Sequence, residues 1–391
     1  MPHIVAKSYY EFDTPAKAGE FDFLWFAKPY KNAKDTLVGV QWGDERFLLE
    51  IKPKDEHYVI KADKITRPAP TFIVKQALRA FCELAKCEVL HDNLSTIKPS
   101  HAAKAHEYLK DIEFFLHSFP KDKEVWIEVG FGSARHLLYQ AKEHPEILFI
   151  GIEIHKPSIE QALKQIALQK LQNIFILDYD ARLFLEFVPS NVVGKIFVHF
   201  PVPWDKKPHR RVISKPFIQE AKRVLKPGGI LELRTDSRLY FDYSLDLFLQ
   251  ESKADLEVTK NIEPPIVSKY EARWLRLGKD IYDIRYINHE HSPNISFEAD
   301  FSFKNLRYGD KILKNFDNKP KVYEDFFIHF EKLYKIEPNR MLLELSFGSF
   351  DRPEHKYILI EEEGAEYFPK APIASRANIK AHKKIEELFN E

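Results

Sequence analysis

The stretch WIEVGFGSARHLL, residues 126–138, joins an apolar run to a glycine turn and a segment of helical character. This order predicts a buried strand, a tight turn and a helix, with Gly130 and Gly132 in the turn. Such glycines let a backbone approach a ligand at the amino terminus of a helix. A purely structural turn is the alternative, because the G-x-G pattern lacks a third glycine and Arg135 stands in its place.

The alternation of apolar runs and helical segments continues along the chain. The predicted strands are residues 123–129, 147–154, 173–177, 195–200 and 230–235. The predicted helices are residues 133–142 and 157–169 and segments beginning near Ala181 and Ser214. Near-continuous apolar strands are typical of parallel strands buried on both faces. KPGG, residues 226–229, predicts a helix stop, and residues 281–287 predict an added edge strand. We therefore predict a doubly wound α/β domain over residues 115–290, with a mostly parallel sheet and an antiparallel edge strand.

The two ends of the chain predict smaller α+β domains, over residues 1–114 and 291–391. Residues 21–61 alternate around turn signals, which predicts a small antiparallel sheet. The further predicted elements are helices at 71–90, 101–116 and 322–335 and strands at 295–306, 340–350 and 355–363. Neither end contains a group of residues that indicates chemistry.

Length and composition limit the class of protein. A chain of 391 residues exceeds the usual single domain, and 44% hydrophobic with 30% charged residues is typical of globular proteins. The sequence shows no transmembrane stretch and no secretory signal, so we expect a cytoplasmic location and no membrane partner. The spacing of Cys82 and Cys87 matches neither a thioredoxin-type pair nor a zinc knuckle, so we expect reduced packing residues and no metal site.

A local cluster of positive charge follows the fourth predicted strand. The 59 basic residues equal the 59 acidic ones, so affinity for a polyanion must come from a local patch. In FVHFPVPWDKKPHRR, residues 197–211, the prolines must end the strand, and the cations emerge on a loop at its carboxyl end. Ligands of open α/β sheets bind at that edge. A solvated helix face with its leading loop is the alternative.

Acidic residues stand near the ends of three successive predicted strands. Glu128 precedes the glycine turn, Glu153 ends the next strand and Asp180 follows the third. Glu153 could accept hydrogen bonds from two ribose hydroxyls, and Asp180 could bind the exocyclic amine of an adenine. Glu128 could alternatively only brace the loop. The pattern favours a nucleoside cofactor, and an acid beside the turn suits a cationic sulfonium better than a pyrophosphate, which favours S-adenosylmethionine.

Six segments, in this order, resemble the bacterial tRNA (guanine-N7)-methyltransferases: IEVGFG, GIEIH, DYDA, HFPVPWDKKPHRR, LRTD and SKYEARWLRLGKDIYDI. The resemblance covers residues 123–290, and both ends lie outside the usual core. It implies a Rossmann-like class I methyltransferase domain that transfers a methyl group from S-adenosylmethionine to N7 of a guanine. It also implies tRNA, and not DNA, as the partner, and leaves open whether the protein is a monomer or a homodimer.

The resemblance also implies roles for individual residues. By position, Glu128, Glu153 and Asp180 hold the cofactor, beside Gly130 and Gly132 of the turn. The expected substrate-binding residues are Lys206, Arg210, Arg211, Asp236, Ser268, Lys269, Tyr270 and Glu271. Trp204 could pack the basic loop or stack on a base. Asp236 could alternatively cap the helix that follows it.

One position departs from the family pattern. The family loop reads P-D-P-W, whereas Val202 stands here in place of the aspartate. Guanine N7 carries a lone pair and no proton, so methyl transfer requires positioning and charge balance and no general base. Asp236 and Glu271 are therefore the candidate catalytic residues, as groups that orient the guanine. The departure leaves a noncatalytic RNA-binding protein as the alternative. A nicotinamide-dependent oxidoreductase is a third alternative, because the two fold families share the sheet pattern, and the missing glycine disfavours it.

Overall fold

A computed structural model describes residues 2–68, 71–94, 107–120, 122–267, 269–295, 299–309, 312 and 315–390. The chain divides into two compact units. Both ends, Met1–Lys98 and Phe297–Glu391, form one of them, which we call the terminal unit. The middle, Pro99–Ser296, forms the central unit. Every helix among the described residues is too short or too polar to cross a bilayer.

The first part of the terminal unit is a set of antiparallel strands covered by a helix. In chain order its elements are β1 (His3–Ala6), β2 (Ala16–Ala18), β3 (Phe21–Lys31), β4 (Thr36–Trp42), β5 (Glu45–Pro53), β6 (Tyr58–Ala62), α1 (Thr71–Leu84) and β7 (Val89–Asp92). The antiparallel sheet predicted here is confirmed. The helix predicted to reach residue 90 is wrong beyond Leu84, because Lys86 turns the chain with a φ of 46° and β7 pairs with β1. Cys82 and Cys87 are free thiols that pack against the core of this unit.

The central unit alternates strands and helices. In chain order its elements are β8 (Leu109–Lys110), α2 (Ile112–Ser118), β9 (Val125–Val129), α3 (Arg135–Glu143), β10 (Leu148–Glu153), α4 (Lys156–Gln169), β11 (Ile174–Asp178), α5 (Ala181–Phe187), β12 (Val193–His199), α6 (Lys215–Val224), β13 (Leu225–Thr235), α7 (Arg238–Leu249), β14 (Asp255–Lys260), α8 (Lys269–Arg276) and β15 (Tyr282–Ile287). The strands predicted between residues 123 and 235, and the edge strand predicted at 281–287, are confirmed.

The central sheet is mixed, with the order β14-β15-β13-β12-β9-β10-β11-β8. Strands β8 to β13 run parallel, and β14 and β15 run antiparallel to their neighbours. From β9 the chain order runs outward in both directions, through β10 and β11 on one side and through β12 and β13 on the other. The connections after β9 and β12 therefore leave in opposite directions, which opens a crevice at the carboxyl edge of these two strands.

Two predictions for the central unit are confirmed only in part. The helix stop at KPGG is confirmed, because α6 ends at Val224, but these four residues already lie within β13, where Gly228 has a φ of 80°. The helix predicted over residues 101–116 is confirmed only from Ile112, where α2 begins, because residues 109–110 form β8. Asp111 fixes that start by accepting a hydrogen bond from the N–H of Phe114 at 2.8 Å. Residues 101–106 lie outside the described residues.

The last part of the chain returns to the terminal unit. Its elements are β16 (Lys321–Val322), β17 (Phe327–Ile336), β18 (Arg340–Gly348), β19 (Glu354–Ile360), β20 (Ala365–Phe368) and α9 (Arg376–Asn390). The helix predicted at 322–335 is wrong, because Ile328 and Phe330 are buried in the alternating pattern of strand β17. The strand predicted at 295–306 is also wrong, since the described residues 299–306 are irregular. The strands predicted at 340–350 and 355–363 are confirmed as β18 and β19.

Both ends of the chain share one twelve-stranded sheet, with the main order β20-β19-β18-β17-β3-β4-β5-β6-β1-β7. Strand β17 pairs with β3, and Ile336 lies opposite Ala27. Trp25 and Phe368 meet in a common hydrophobic cluster, with ring centroids 5.7 Å apart. The structure therefore differs from the prediction of two separate flanking domains, because strand pairing over more than 300 residues is not visible in local sequence patterns.

Candidate active site

The glycine turn between β9 and α3 lies at the carboxyl edge of the central sheet. Gly130 has a φ of 69° and Gly132 a φ of 52°, values that favour glycine. Apart from the two adjacent residues, no heavy atom of the described residues lies within 4 Å of the position that a Cβ on Gly130 would occupy. The turn therefore leaves open space at the start of α3, as the close approach of a ligand requires.

The carboxylate of Glu153 is fixed beside this turn. One of its oxygens accepts a hydrogen bond from the backbone N–H of Gly132 at 3.0 Å. The other accepts from the N–H groups of Ile154 and His155, at 2.8 and 3.0 Å. A carboxylate can accept about four hydrogen bonds, so this group is held in place and retains acceptor capacity. The structure thus brings together Gly132 and Glu153, two of the residues expected at a cofactor site.

Glu128 faces α3. It is buried on β9, and its Oε2 lies 2.8 Å from Nδ1 of His136. Burial lowers the pKa of His136, but the carboxylates of Glu128, Glu232 and Glu271 outweigh that effect, and the net pKa is raised. This contact supports the reading of Glu128 as a brace for the turn. Sequence reasoning missed His136, although it lies within the motif that indicated the fold.

A polar layer, buried except at Arg285, extends from Glu128 across one face of the central sheet. It consists of Glu128, His136, His199, Glu232, Arg234, Glu271, Asp283 and Arg285. The rings of His136 and His199 have centroids 4.5 Å apart, and Nε2 of His199 lies 2.9 Å from Glu232. Arg285 donates to the other oxygen of Glu232 at 2.9 Å. Burial alone would raise the pKa of Glu232, but His199 and Arg285 lower it to about 2.

Strand register explains why these side chains meet. Phe197 of β12 lies opposite Glu128 on one side and Glu232 on the other. Glu232 in turn lies opposite Arg285. Residues that pair across neighbouring strands point to the same face, so the layer is a row across the sheet. His136 closes the row from α3.

Arg234 connects the layer to α8. Its guanidinium donates to Glu271 at 2.5 and 3.2 Å, and to both oxygens of Asp283 at 2.6 Å. It also donates to the carbonyl of Ile262 at 2.9 Å. Glu271 is only 2% exposed. The carboxylate that would orient a guanine is therefore held in a buried ion pair, and its role in substrate binding stays a prediction.

Asp236 lies directly after β13, at the same edge of the sheet. Its Oδ2 accepts a hydrogen bond from Nζ of Lys279 at 2.5 Å, and this ammonium group sits 3.9 Å from the ring centroid of Trp274. The capping alternative for Asp236 is wrong, because Ser237 caps α7 by accepting from the N–H of Tyr240 at 3.2 Å. Of the neighbouring expected site, Ser268 lies outside the described residues, and Lys269 and Tyr270 are the first residues of α8.

Asp180 caps α5 and pairs with its own neighbour. Its Oδ1 accepts from the backbone N–H of Arg182 at 3.0 Å and from Nε of the same residue at 3.1 Å. The second oxygen accepts from Nη2 of Arg182 at 2.7 Å. Both carboxylate oxygens therefore have partners within this segment, and an adenine contact would have to share or replace them.

The basic loop after β12 has an unusual backbone. Phe200 and Trp204 have φ values of 49° and 46°, which are rare for bulky residues. Val202 is 60% exposed between them. Lys206 and Arg210 are exposed, and the Arg210 guanidinium lies 5.2 Å from the Trp204 ring centroid. The loop thus presents two cations and an aromatic ring at the carboxyl edge of the sheet.

Arg211 differs from the other cations of the loop. It is only 7% exposed, and its Nε donates to the carbonyl of Pro203 at 2.7 Å. The guanidinium also lies 4.4 Å from the ring centroid of Tyr243. These contacts brace the loop, so the geometry does not fit the expected role of Arg211 in binding phosphate directly.

The chain is similar to known proteins along its whole length. The family described as "Putative methyltransferase" matches residues 122–284. A tRNA (guanine-N(7)-)-methyltransferase of Wolinella succinogenes is 43% identical, over 100% of both chains. The chain belongs to the tRNA (guanine-N(7)-)-methyltransferase family. Relatives with the same description from Helicobacter pylori and Campylobacter fetus are 40% and 38% identical, over 100% of this chain and 99% of theirs. These three relatives match the whole chain, so the similarity extends over the sequences of both units.

Solved structures resemble about half of the chain. A SAM dependent methyltransferase from Aquifex aeolicus has a TM-score of 0.30 and 18% identity, and the match covers 49% of this chain and 99% of that chain. A 16S rRNA (adenine(1408)-N(1))-methyltransferase from Catenulisporales acidiphilia has a TM-score of 0.33 and 19% identity, over 51% of this chain and 97% of that chain.

Proposed function

We propose that this protein transfers a methyl group from S-adenosylmethionine to N7 of a guanine in tRNA, in the cytoplasm. The observation that carries the proposal is the full-length identity of 43% to a relative described by that activity. We further propose that the central unit is a doubly wound, Rossmann-like class I methyltransferase domain. The outward strand order from β9 and the crevice between β9 and β12 support this reading.

The residues of the glycine turn suit the cofactor. Gly130 leaves room for a close approach, and Glu153 offers a fixed carboxylate to ribose hydroxyls. Asp180 is oriented by its capping role and by Arg182, and we assign it a second contact with the cofactor. Glu128 acts through His136 to hold the turn. When bound, S-adenosylmethionine supplies an electrophilic methyl group on a sulfonium.

The charge of the polar layer suits the reaction. The layer contains four carboxylates and two guanidinium groups, so its net charge is negative unless both histidines are protonated. Methyl transfer moves a positive charge from the sulfonium to the guanine ring. A fixed negative field beside the crevice stabilises that charge before and after transfer, and it requires no proton acceptor at N7. Asp236 and Glu271 orient the guanine from the β13 side.

The basic loop delivers the RNA. Lys206 and Arg210 bind phosphates, and Arg211 positions the loop through Pro203. Trp204 lies under Arg210, where it either supports this guanidinium or stacks on a base. A guanine in a folded tRNA must leave its stack to reach the crevice, so local unstacking accompanies binding.

The test is an assay of the full-length protein with labelled S-adenosylmethionine and unmodified bulk tRNA, followed by digestion to nucleosides. We expect labelled 7-methylguanosine. Glu153→Ala should weaken cofactor binding roughly 10- to 150-fold, the effect of losing a hydrogen bond to a charged group. Glu160→Ala, an exposed glutamate on α4, should leave it unchanged. The absence of 7-methylguanosine would reject the proposal, and tRNA binding without any cofactor binding would favour a noncatalytic RNA-binding protein.

A further inference from the structure

A groove of about 370 Å³ lies between α3 and α4, next to the glycine turn. Its upper end is formed by Ser133 and Arg135, which follow Gly132 directly. The inner faces of α3 and α4 share one hydrophobic cluster, through Leu137 and Ile166 among others, so the groove has a rigid floor. None of the contacts assigned to the cofactor or to the basic loop uses the body of this groove.

The lining of the groove has a distinct chemistry. Arg135 and Lys142 both lie on α3, two helical turns apart, at a separation of about 10 Å along the helix axis. None of the described residues that line the groove is acidic, although the chain as a whole has equal numbers of acidic and basic residues. The lining of the groove therefore carries two positive charges and suits an anionic partner.

The opposite wall is a row of amides. Gln161, Gln165 and Gln169 are spaced by four residues on α4, which places them on one side of the helix. An amide group donates and accepts hydrogen bonds, as the edges of nucleic acid bases do. Tyr139, from α3, adds an aromatic ring on which a base can stack. Cations, amides and an aromatic ring together are typical of grooves that bind a single nucleic acid strand.

We propose that this groove binds a single-stranded segment of the tRNA next to the target guanine. Arg135 and Lys142 contact its phosphates, and Tyr139 and the glutamine row contact its bases. The proposal rests on the proposed function, because a guanine that leaves its stack needs its neighbouring nucleotides to be held. Continuity with the glycine turn places this strand beside the site of methyl transfer.

The test compares the same charge reversal inside and outside the groove. Lys142→Glu changes a lining residue, whereas Lys164→Glu changes an exposed lysine of α4 that does not line it. Binding of unmodified tRNA is measured by fluorescence anisotropy at several salt concentrations. We expect Lys142→Glu to weaken binding about tenfold and to lower the slope of log K against log salt by about one, because a phosphate contact is lost. Lys164→Glu should change the affinity less than about threefold, the residual long-range effect of one charge.

A second variant separates base contacts from charge. Gln165→Ala should weaken tRNA binding without a change in the salt slope, because an amide releases no counterion. The unfolding temperature is the folding control and should match the wild type in all three variants, and calorimetry should show that each binds S-adenosylhomocysteine as the wild type does. Equal tRNA affinities for Lys142→Glu and Lys164→Glu would overturn the proposal. Loss of cofactor binding in Lys142→Glu would also overturn it, since the groove would then belong to the cofactor. A wild type that neither binds nor methylates tRNA would instead reject the proposed function.

Discussion

Replacing Arg234 with methionine should destabilise the central unit by about 3–5 kcal/mol, the cost of removing one partner from a buried ion pair. Arg234 is the cation between Glu271 and Asp283, which are 2% and 8% exposed. Methionine fills a similar volume but leaves both carboxylates buried without this cation. At an effective dielectric constant of 20, one pair of charges 4 Å apart is worth about 4 kcal/mol, which agrees with that range.

The matched control is Arg238→Met, four residues away. Arg238 also donates two hydrogen bonds to a carboxylate, that of Asp242, at 2.7 and 2.9 Å. Its side chain is 64% exposed, so water replaces the lost contacts. Exposed ion pairs contribute little to stability. The two substitutions are chemically identical, and the expected difference in stability comes from burial and from the second carboxylate and the carbonyl that Arg234 contacts.

The assay is hydrogen exchange in increasing urea, read by mass spectrometry on peptides of β13 and, separately, of β3. Peptides are needed because two units need not unfold in a single transition. Burial already raises the pKa of Asp283 despite Arg234, and its pKa should rise further without the guanidinium. The folded variant then binds more protons than the unfolded chain, so part of the lost stability should return between pH 7 and pH 5. The reasoning would be refuted if Arg234→Met lowered the free energy of unfolding no more than Arg238→Met does, or if it lowered this free energy equally at pH 7 and pH 5.

Three further outcomes can be measured. The raised pKa of His136 contributes stability that is complete below about pH 6.5, the ordinary histidine value, and is lost as the pH rises through the pKa of the folded state. The unfolding temperature of the wild type should therefore fall between pH 6 and pH 9, and His136→Gln should make this fall smaller. Gly130→Ala should weaken binding of S-adenosylhomocysteine in calorimetry. The control is Gly19→Ala, since Gly19 has a similar φ of 61° and equally open space around the position of a Cβ. It should lower the free energy of unfolding by about 1–2 kcal/mol and leave the affinity for S-adenosylhomocysteine unchanged. Lys206→Ala and Arg210→Ala should each weaken tRNA binding and lower its salt slope by about one, while cofactor affinity stays constant; an unchanged slope would exclude a phosphate contact.

The central fold was predictable from sequence because its information is local. Strands β9 and β10 are mostly apolar and almost wholly buried, and each lies between segments of helical character. The terminal unit was harder, because the segment FIHFEKLYKI of β17 carries apolar residues at both helical and strand spacings. Its pairing with β3, about 300 residues away, decides between the two, and no local pattern contains that information.

The candidate site was likewise predictable only in part from the sequence. The acidic residues near the glycine turn stand at the ends of predicted strands, so they can be recognised in the sequence, as Glu153 shows. Their partners cannot, because the register of β12, β13 and β15 determines that His199 meets Glu232 and that Arg234 meets Asp283. His136 is the exception, since the strand, turn and helix fold back so that residues eight positions apart touch. A histidine at that distance from Glu128 was a usable signal.

The shared sheet of the terminal unit has a consequence for synthesis. Strand β3 leaves the ribosome early, but β17 follows only about 300 residues later, which takes roughly 15–60 s at typical elongation rates. During that interval residues 27–31 of β3 present unpaired backbone groups, and such an edge promotes aggregation. The central unit can fold during this interval, while β3 of the nascent chain still lacks its partner strand β17. A truncated protein should therefore lack both ends of the chain, because a truncation that keeps only one end leaves β3 or β17 without its partner strand permanently.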